Sequence, residues 1–135
     1  MEHSFSRKID ALDDIFEFLH QAGITMGVST PVKFSMNLVV EELFTNMVRH
    51  HREGSKDISV KIDREGDCLQ LSLTDFDVDD FDITRVPEVD TTAPLAERQP
   101  GGLGLHLVRR MTDNLAYSYE NRNRTITASL KLHGS

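Results

Sequence analysis

The sequence predicts an α+β fold, a two-layer sandwich with a mostly antiparallel sheet and helices on one face. Two observations lead there. Residues 57–74 and 115–132 each read as two alternating segments across a short polar turn, which is the pattern of a hairpin. Three further stretches carry apolar residues at a period near 3.6. The order is helix, helix, hairpin, long loop, helix, hairpin. Consecutive hairpins imply antiparallel pairs, so the helices must cover a face of the sheet rather than cross between parallel strands.

Residues 2–5 read as a short leading strand. A first helix is expected from Ser6 to Ala22, with Ser6 as N-cap, Ile9, Leu12, Ile15, Phe16 and Leu19 on one face, and Gly23 as the stop. Thr30-Pro31 opens a second helix, because proline suits the first helical turn; it should run to about His51. Phe34, Met36, Leu38, Val39, Val40, Leu43, Phe44, Met47 and Val48 make this helix apolar over most of its circumference, so it should be largely buried. The strands 57–63 and 68–74 follow, joined by Arg64-Glu65-Gly66-Asp67. Residues 75–100 have no period, five aspartates in their first eight positions and three of the chain's four prolines. An irregular stretch of that length in a small domain is usually functional or mobile. Gly101-Gly102-Leu103-Gly104 opens a third helix reaching about Asp113. Strands 115–120 and 125–132 close the chain across Asn121-Arg122-Asn123-Arg124.

A chain of 135 residues is expected to form a single domain, 1–135. Its 22 acidic and 15 basic residues give a net charge of −7. That disfavours general binding to nucleic acid or to an anionic membrane, both of which need a basic surface. The lone cysteine, Cys68, cannot form an intramolecular disulfide; it reads as a small apolar residue at a strand start and fits a reducing compartment. Apolar runs are too short for a spanning helix, and Met1 to Arg7 lacks the pattern of a signal peptide. A cytoplasmic protein is expected.

Three features carry chemistry, and each has a plain structural alternative. Glycines at a helix start let unpaired backbone N–H groups and the helix dipole meet an anion such as phosphate; the alternative is a tight turn into a helix. The run lacks the Gly-Lys-Ser/Thr of a Walker loop and does not directly follow a strand. Glu42 and Asn46 lie four apart, hence on one helix face, inside an apolar stretch. Such a pair can hold Mg²⁺ on the amide oxygen and supply a general base; the alternative is a satisfied buried polar pair. Asp75 ends a strand where a loop begins, fit to accept a hydrogen bond from an exocyclic amine or simply to form a turn. The acidic run 75–80 fails as a calcium loop, since Asp80 and Val86 stand where glycine and glutamate are needed. The histidines show no metal-ligand spacing.

Taken in order, the E-x-x-x-N helix, the strand ending in Asp and the glycine-rich helix start resemble the GHKL ATPase fold, also called the Bergerat fold, of histidine kinases, gyrase and MutL. Val40-Glu41-Glu42-Leu43-Phe44-Thr45-Asn46-Met47-Val48-Arg49-His50 resembles the N-box of the bacterial anti-sigma-factor serine/threonine kinases of the RsbW and SpoIIAB type. Pro100-Gly101-Gly102-Leu103-Gly104-Leu105-His106-Leu107-Val108 is similar to their second glycine box. The resemblance spans nearly the whole chain. It implies an ATP and Mg²⁺ site with Asn46 as the Mg²⁺ ligand and Glu42 as the catalytic base toward a serine on a bound partner. It implies Asp75 as receiver of the adenine amine, and Gly101, Gly102, Leu103 and Gly104 around the phosphates. A lid at about 83–100 would bring Thr91, Thr92 and Arg98 to the phosphates, and Asp77 and Thr125 would be further nucleotide contacts. The partners so implied are an anti-sigma-factor antagonist of the STAS type, a sigma factor and a second copy in a homodimer. The family's first glycine box reads Asp-x-Gly, whereas Asp75-Phe76-Asp77 stands here. The other reading of the chain is therefore a degenerate GHKL-fold module that holds a partner without chemistry.

Overall fold

The computed structural model describes residues 1–50, 56–78 and 102–132. Strand β1 (Glu2–Phe5) leads into a single 3-10 turn (Ile9–Ala11) and then helix α1 (Leu12–Met26). Helix α2 (Thr30–His50) follows, then β2 (Ile58–Glu65) and β3 (Cys68–Asp75). Helix α3 (Gly102–Met111), β4 (Asn114–Glu120) and β5 (Asn123–Lys131) complete the described chain. The five strands form one antiparallel sheet in the order β1-β2-β3-β5-β4. The fold is thus the α+β arrangement the sequence predicts.

The period-2 patterning assigns the two faces. Val60, Ile62, Leu69, Leu71, Leu73, Ile126 and Ala128 point from the sheet into the core and are fully buried. They meet Ile15 and Leu19 of α1, Met36, Val39, Val40, Leu43, Phe44 and Met47 of α2, and Val108 of α3. Each such aliphatic side chain contributes about 1.5–3 kcal/mol on leaving water. The other face carries small hydroxyl residues that pair across strands, Ser72 with Thr127 at 3.1 Å and Thr74 with Thr125 at 3.0 Å. Phe34, at 68% exposed, departs from the expectation of a largely buried α2.

Three boundaries differ from the sequence expectation, each for a local reason. Ser6 is not an N-cap: Lys8 donates its N–H to the Ser6 carbonyl, and the 3-10 turn intervenes before α1. Gly23 does not stop α1, because the helix passes through it and a Cβ there would stand 3.0 Å from Lys33 Cε of α2. Gly27, with φ 67°, ends the helix instead, and the Val28 N–H closes onto the Gly23 carbonyl at 2.9 Å. In the last hairpin, Asn121 (φ 53°) and Arg122 (φ 64°) form the whole turn. Two consecutive left-handed residues are the mark of a type I′ turn, whose twist suits the flanking strands. Strand β5 consequently begins at Asn123, two residues earlier than expected, and Arg124 enters the sheet.

Candidate functional site

Helix α2 carries Glu42 and Asn46 one turn apart on its length over β3 and β5. Asn46 is 1% exposed, and its Nδ2 donates to the backbone carbonyl of Glu42 at 2.6 Å. Spending the amino end on the helix leaves Oδ1 as the side-chain atom able to take a ligand. Glu42 is half-buried. Burial pushes its carboxyl above the ordinary range, the neighbouring Glu41 adds to that rise, and Arg49 opposes it. Arg49 lies three residues beyond Asn46 on the same helix side. Its Nη1 is buried without a hydrogen-bond partner among the described residues. Helix α2 therefore presents an amide oxygen, a carboxyl of raised pKa and a cation.

Asp75 ends β3 and is fully buried. The sheet register sets it directly opposite Arg124 of β5. Arg124 Nη2 meets Asp75 Oδ2 at 2.9 Å, and the Arg124 side chain is itself 2% exposed. Arg7, in the link between β1 and the 3-10 turn, donates through Nη2 to Asp75 Oδ1. The same guanidinium reaches the Met47 carbonyl through Nη1 at 3.4 Å and the Lys56 carbonyl through Nε at 3.3 Å. Met47 lies in the last turn of α2, where carbonyls lack helical partners and a cation is favoured. Desolvation lowers the pKa of Arg7 most, with Arg124 acting in the same direction and Asp57 against it. One side chain thus spans from the residue after Asn46 to Asp75, which brings the α2 pair and the strand-end carboxylate into one region.

The chain beyond Asp75 is strapped to the β4–β5 turn. Asp77 has φ 55°, the left-handed conformation that glycine adopts readily and aspartate tolerates. Its carboxylate accepts from Arg122 Nε at 2.9 Å, both groups being exposed. The Val78 N–H donates to the Arg122 carbonyl, and the Tyr119 hydroxyl donates to the Val78 carbonyl at 2.7 Å.

The other expected site residues divide into three groups. Gly102, Leu103 and Gly104 form the first turn of α3, which packs on α2. Arg98 and Gly101, together with Thr91, Thr92 and the lid at 83–100, lie outside the described residues. Thr125 lies on the face of the sheet opposite to Asp75, its hydroxyl bonded to Thr74, so the sheet separates it from the other residues. Sequence reasoning missed Arg7, Arg49 and Arg124. The signal for Arg124 was present: it shares the alternation of the buried Ile126 and Ala128, so a strand that reaches back to Asn123 puts Arg124 on the core side. Arg7 carried no local signal. A cleft of about 450 Å³ between β1 and α1, lined by His3, Phe18, Asp14 and Glu17 among others, includes none of the site residues. Among the described residues no group of three His, Cys, Asp or Glu is placed to hold a metal ion. No helix among them is long and apolar enough to cross a membrane.

Known proteins bear on this arrangement in three ways. A family model described as a histidine kinase-like ATPase domain matches residues 5–130. No curated protein matches the chain. Among solved structures, a chain of the SiaB–SiaC complex from Pseudomonas aeruginosa is similar, with a TM-score of 0.70 and 18% identity over 96% of this chain and 88% of that one. At that identity the likeness is one of fold.

Proposed function

The chain belongs to the histidine kinase-like ATPase domain family, and from that premise we propose that it is an ATP-dependent serine/threonine protein kinase of the anti-sigma-factor type. Its substrate would be a serine of an anti-sigma-factor antagonist, and its output the control of a sigma factor. The observation that carries this reading is the α2 pair. Asn46 is pinned by its amino end with its oxygen to spare, and Glu42, one turn away, has a carboxyl whose raised pKa suits proton transfer. That a neighbour in fold comes from a two-protein complex accords with a protein partner.

The residues fit a magnesium nucleotide better than a free metal ion. Mg²⁺ commonly takes one protein ligand and completes its shell with phosphate oxygens and water. Asn46 Oδ1 is that ligand in this reading, and the bound ion would neutralise charge on the phosphates. Arg49 adds a cation on the same side of α2, and the first turn of α3 offers backbone N–H groups to the phosphates. Glu42 takes the proton of the partner's serine hydroxyl. The serine Oγ then bonds to the γ-phosphorus as the bond from that phosphorus to the ADP oxygen breaks. Most of the acceleration of such a transfer comes from positioning and charge neutralisation. Asp75 is the proposed receiver of the adenine amine.

A second reading, a degenerate module that binds a partner without chemistry, is favoured by the other end of the site. Both Asp75 oxygens already face guanidinium groups, and Asp77 stands in place of the family glycine. Thermal unfolding with and without ADP or ATP and Mg²⁺ separates the two. Ligand at a hundred times its Kd adds about 2.7 kcal/mol, a rise of several degrees for a domain of this size. A Mg²⁺-dependent rise, followed by transfer of label from γ-labelled ATP to a STAS-type protein, supports the kinase. No rise at millimolar nucleotide supports the module.

A further inference from the structure

We infer that Arg7 sets nucleotide affinity and base selectivity, by occupying the Asp75 oxygen that an adenine amine would need. This rests on the proposed nucleotide site. An exocyclic amine is recognised by an acceptor that has lone pairs facing it. Asp75 is fully buried, so its reachable lone pairs are few, and neither oxygen is without an internal donor. Arg124 reaches Oδ2 from the adjacent strand, and its placement is fixed by the register of the sheet. Arg7 is different in kind. It comes from the short link after β1, not from the sheet, and its other hydrogen bonds among the described residues are two long ones to backbone carbonyls, at 3.3 and 3.4 Å. Both guanidinium groups are buried, but the backbone that carries Arg7 belongs to no strand, so Arg7 is the partner of Asp75 whose segment can shift without moving the sheet.

The consequence is a competition. Adenine is received only in the fraction of molecules in which Arg7 has released Oδ1, so the apparent affinity of the intact chain is reduced by that fraction. With Arg7 in place, the base end presents guanidinium donors instead of a carboxylate acceptor. Adenine, which offers an amine there, then has little advantage over hypoxanthine, which offers a carbonyl oxygen at the same position.

The test compares ADP with IDP in the presence of Mg²⁺, by titration calorimetry, on the intact chain and on Arg7→Ala and Arg7→Lys. Arg7→Ala is expected to bind ADP at least about fivefold more tightly and to favour ADP over IDP more strongly than the intact chain does. Arg7→Lys keeps the charge without the planar fork and is expected to fall between them; it also serves where Arg7→Ala unfolds. Unchanged or weaker ADP binding in both variants, with binding by the intact chain, overturns the role of Arg7 and leaves the nucleotide site standing. Absence of binding in all three proteins overturns both. An equal gain for ADP and IDP also overturns the inference, because it shows a general loosening, not the release of a base-reading carboxylate.

Discussion

The two ends of the candidate site handle a carboxylate in opposite ways. Glu42 sits half-open on α2, where burial and Glu41 disfavour ionisation more than Arg49 favours it, so its pKa rises. Asp75 sits fully buried at the end of β3, held by Arg7 and Arg124. A carboxyl that ionises reluctantly is suited to moving a proton. One clamped between guanidinium groups is suited to holding structure, and can read a ligand only if a clamp opens. The comparison teaches that a motif residue kept in sequence can be redirected by neighbours that the motif does not include.

The largest expected effect breaks the clamped end. Asp75→Asn leaves two buried guanidinium groups without a carboxylate, and removing one partner of a buried ionic group typically costs about 3–5 kcal/mol. Denaturant unfolding should show a loss of that size, whereas Glu42→Gln should change stability by less than about 1 kcal/mol. If the two substitutions cost the same, the contrast between the ends is wrong. At the open end, Glu42→Gln should retain nucleotide binding but slow phosphotransfer by about 10²–10⁴-fold, the usual worth of a general base. Retained transfer in a labelled-ATP assay removes Glu42 from that role.

Smaller effects sharpen the comparison. Asp77→Gly should relieve about 1 kcal/mol of left-handed backbone cost while losing an exposed ion pair worth about 0–1 kcal/mol, so stability should stay nearly constant. ADP binding should tighten, since a negative charge and a side chain leave the base end; calorimetry that shows weaker binding would make Asp77 a contact, not an obstacle. The smallest effect is the pH dependence of Glu42. Its folded pKa lies above the ordinary 4.5, so between the unfolded and the folded value the folded state binds more proton than the unfolded chain does. Its contribution therefore falls as pH rises from the unfolded value through the folded one. Glu42→Gln should be slightly more stable than the parent at pH 7, and the gap should close below pH 4.5, where both forms of the parent are protonated. A gap that widens toward acid would reverse the assigned direction.

Most of the layout was legible locally. The alternation in β2, β3 and β5 and the 3.6 period of α1 and α2 give their elements within a few residues. The misplaced boundaries share a cause: Gly23 and Ser6 look like punctuation locally, but Gly23 sits beneath Lys33 of the next helix and Ser6 lies ahead of a 3-10 turn. The E-x-x-x-N spacing placed Glu42 and Asn46 together because both belong to one helix. Arg124 goes unread in the sequence because a two-residue turn stands where a four-residue one is expected; β5 therefore begins at Asn123, and its alternation puts Arg124 with Ile126 and Ala128 on the core face and Thr125 on the other.

The sequence by itself determined the elements, the fold class and the helix face that carries Glu42 and Asn46, because those follow from periodicities within single segments. Only the tertiary structure decided what surrounds Asp75. Its partners are 68 and 49 residues away in the chain, one fixed by strand register and one by the path of a link. Such pairings depend on how separate segments come together, and no spacing within one segment encodes them.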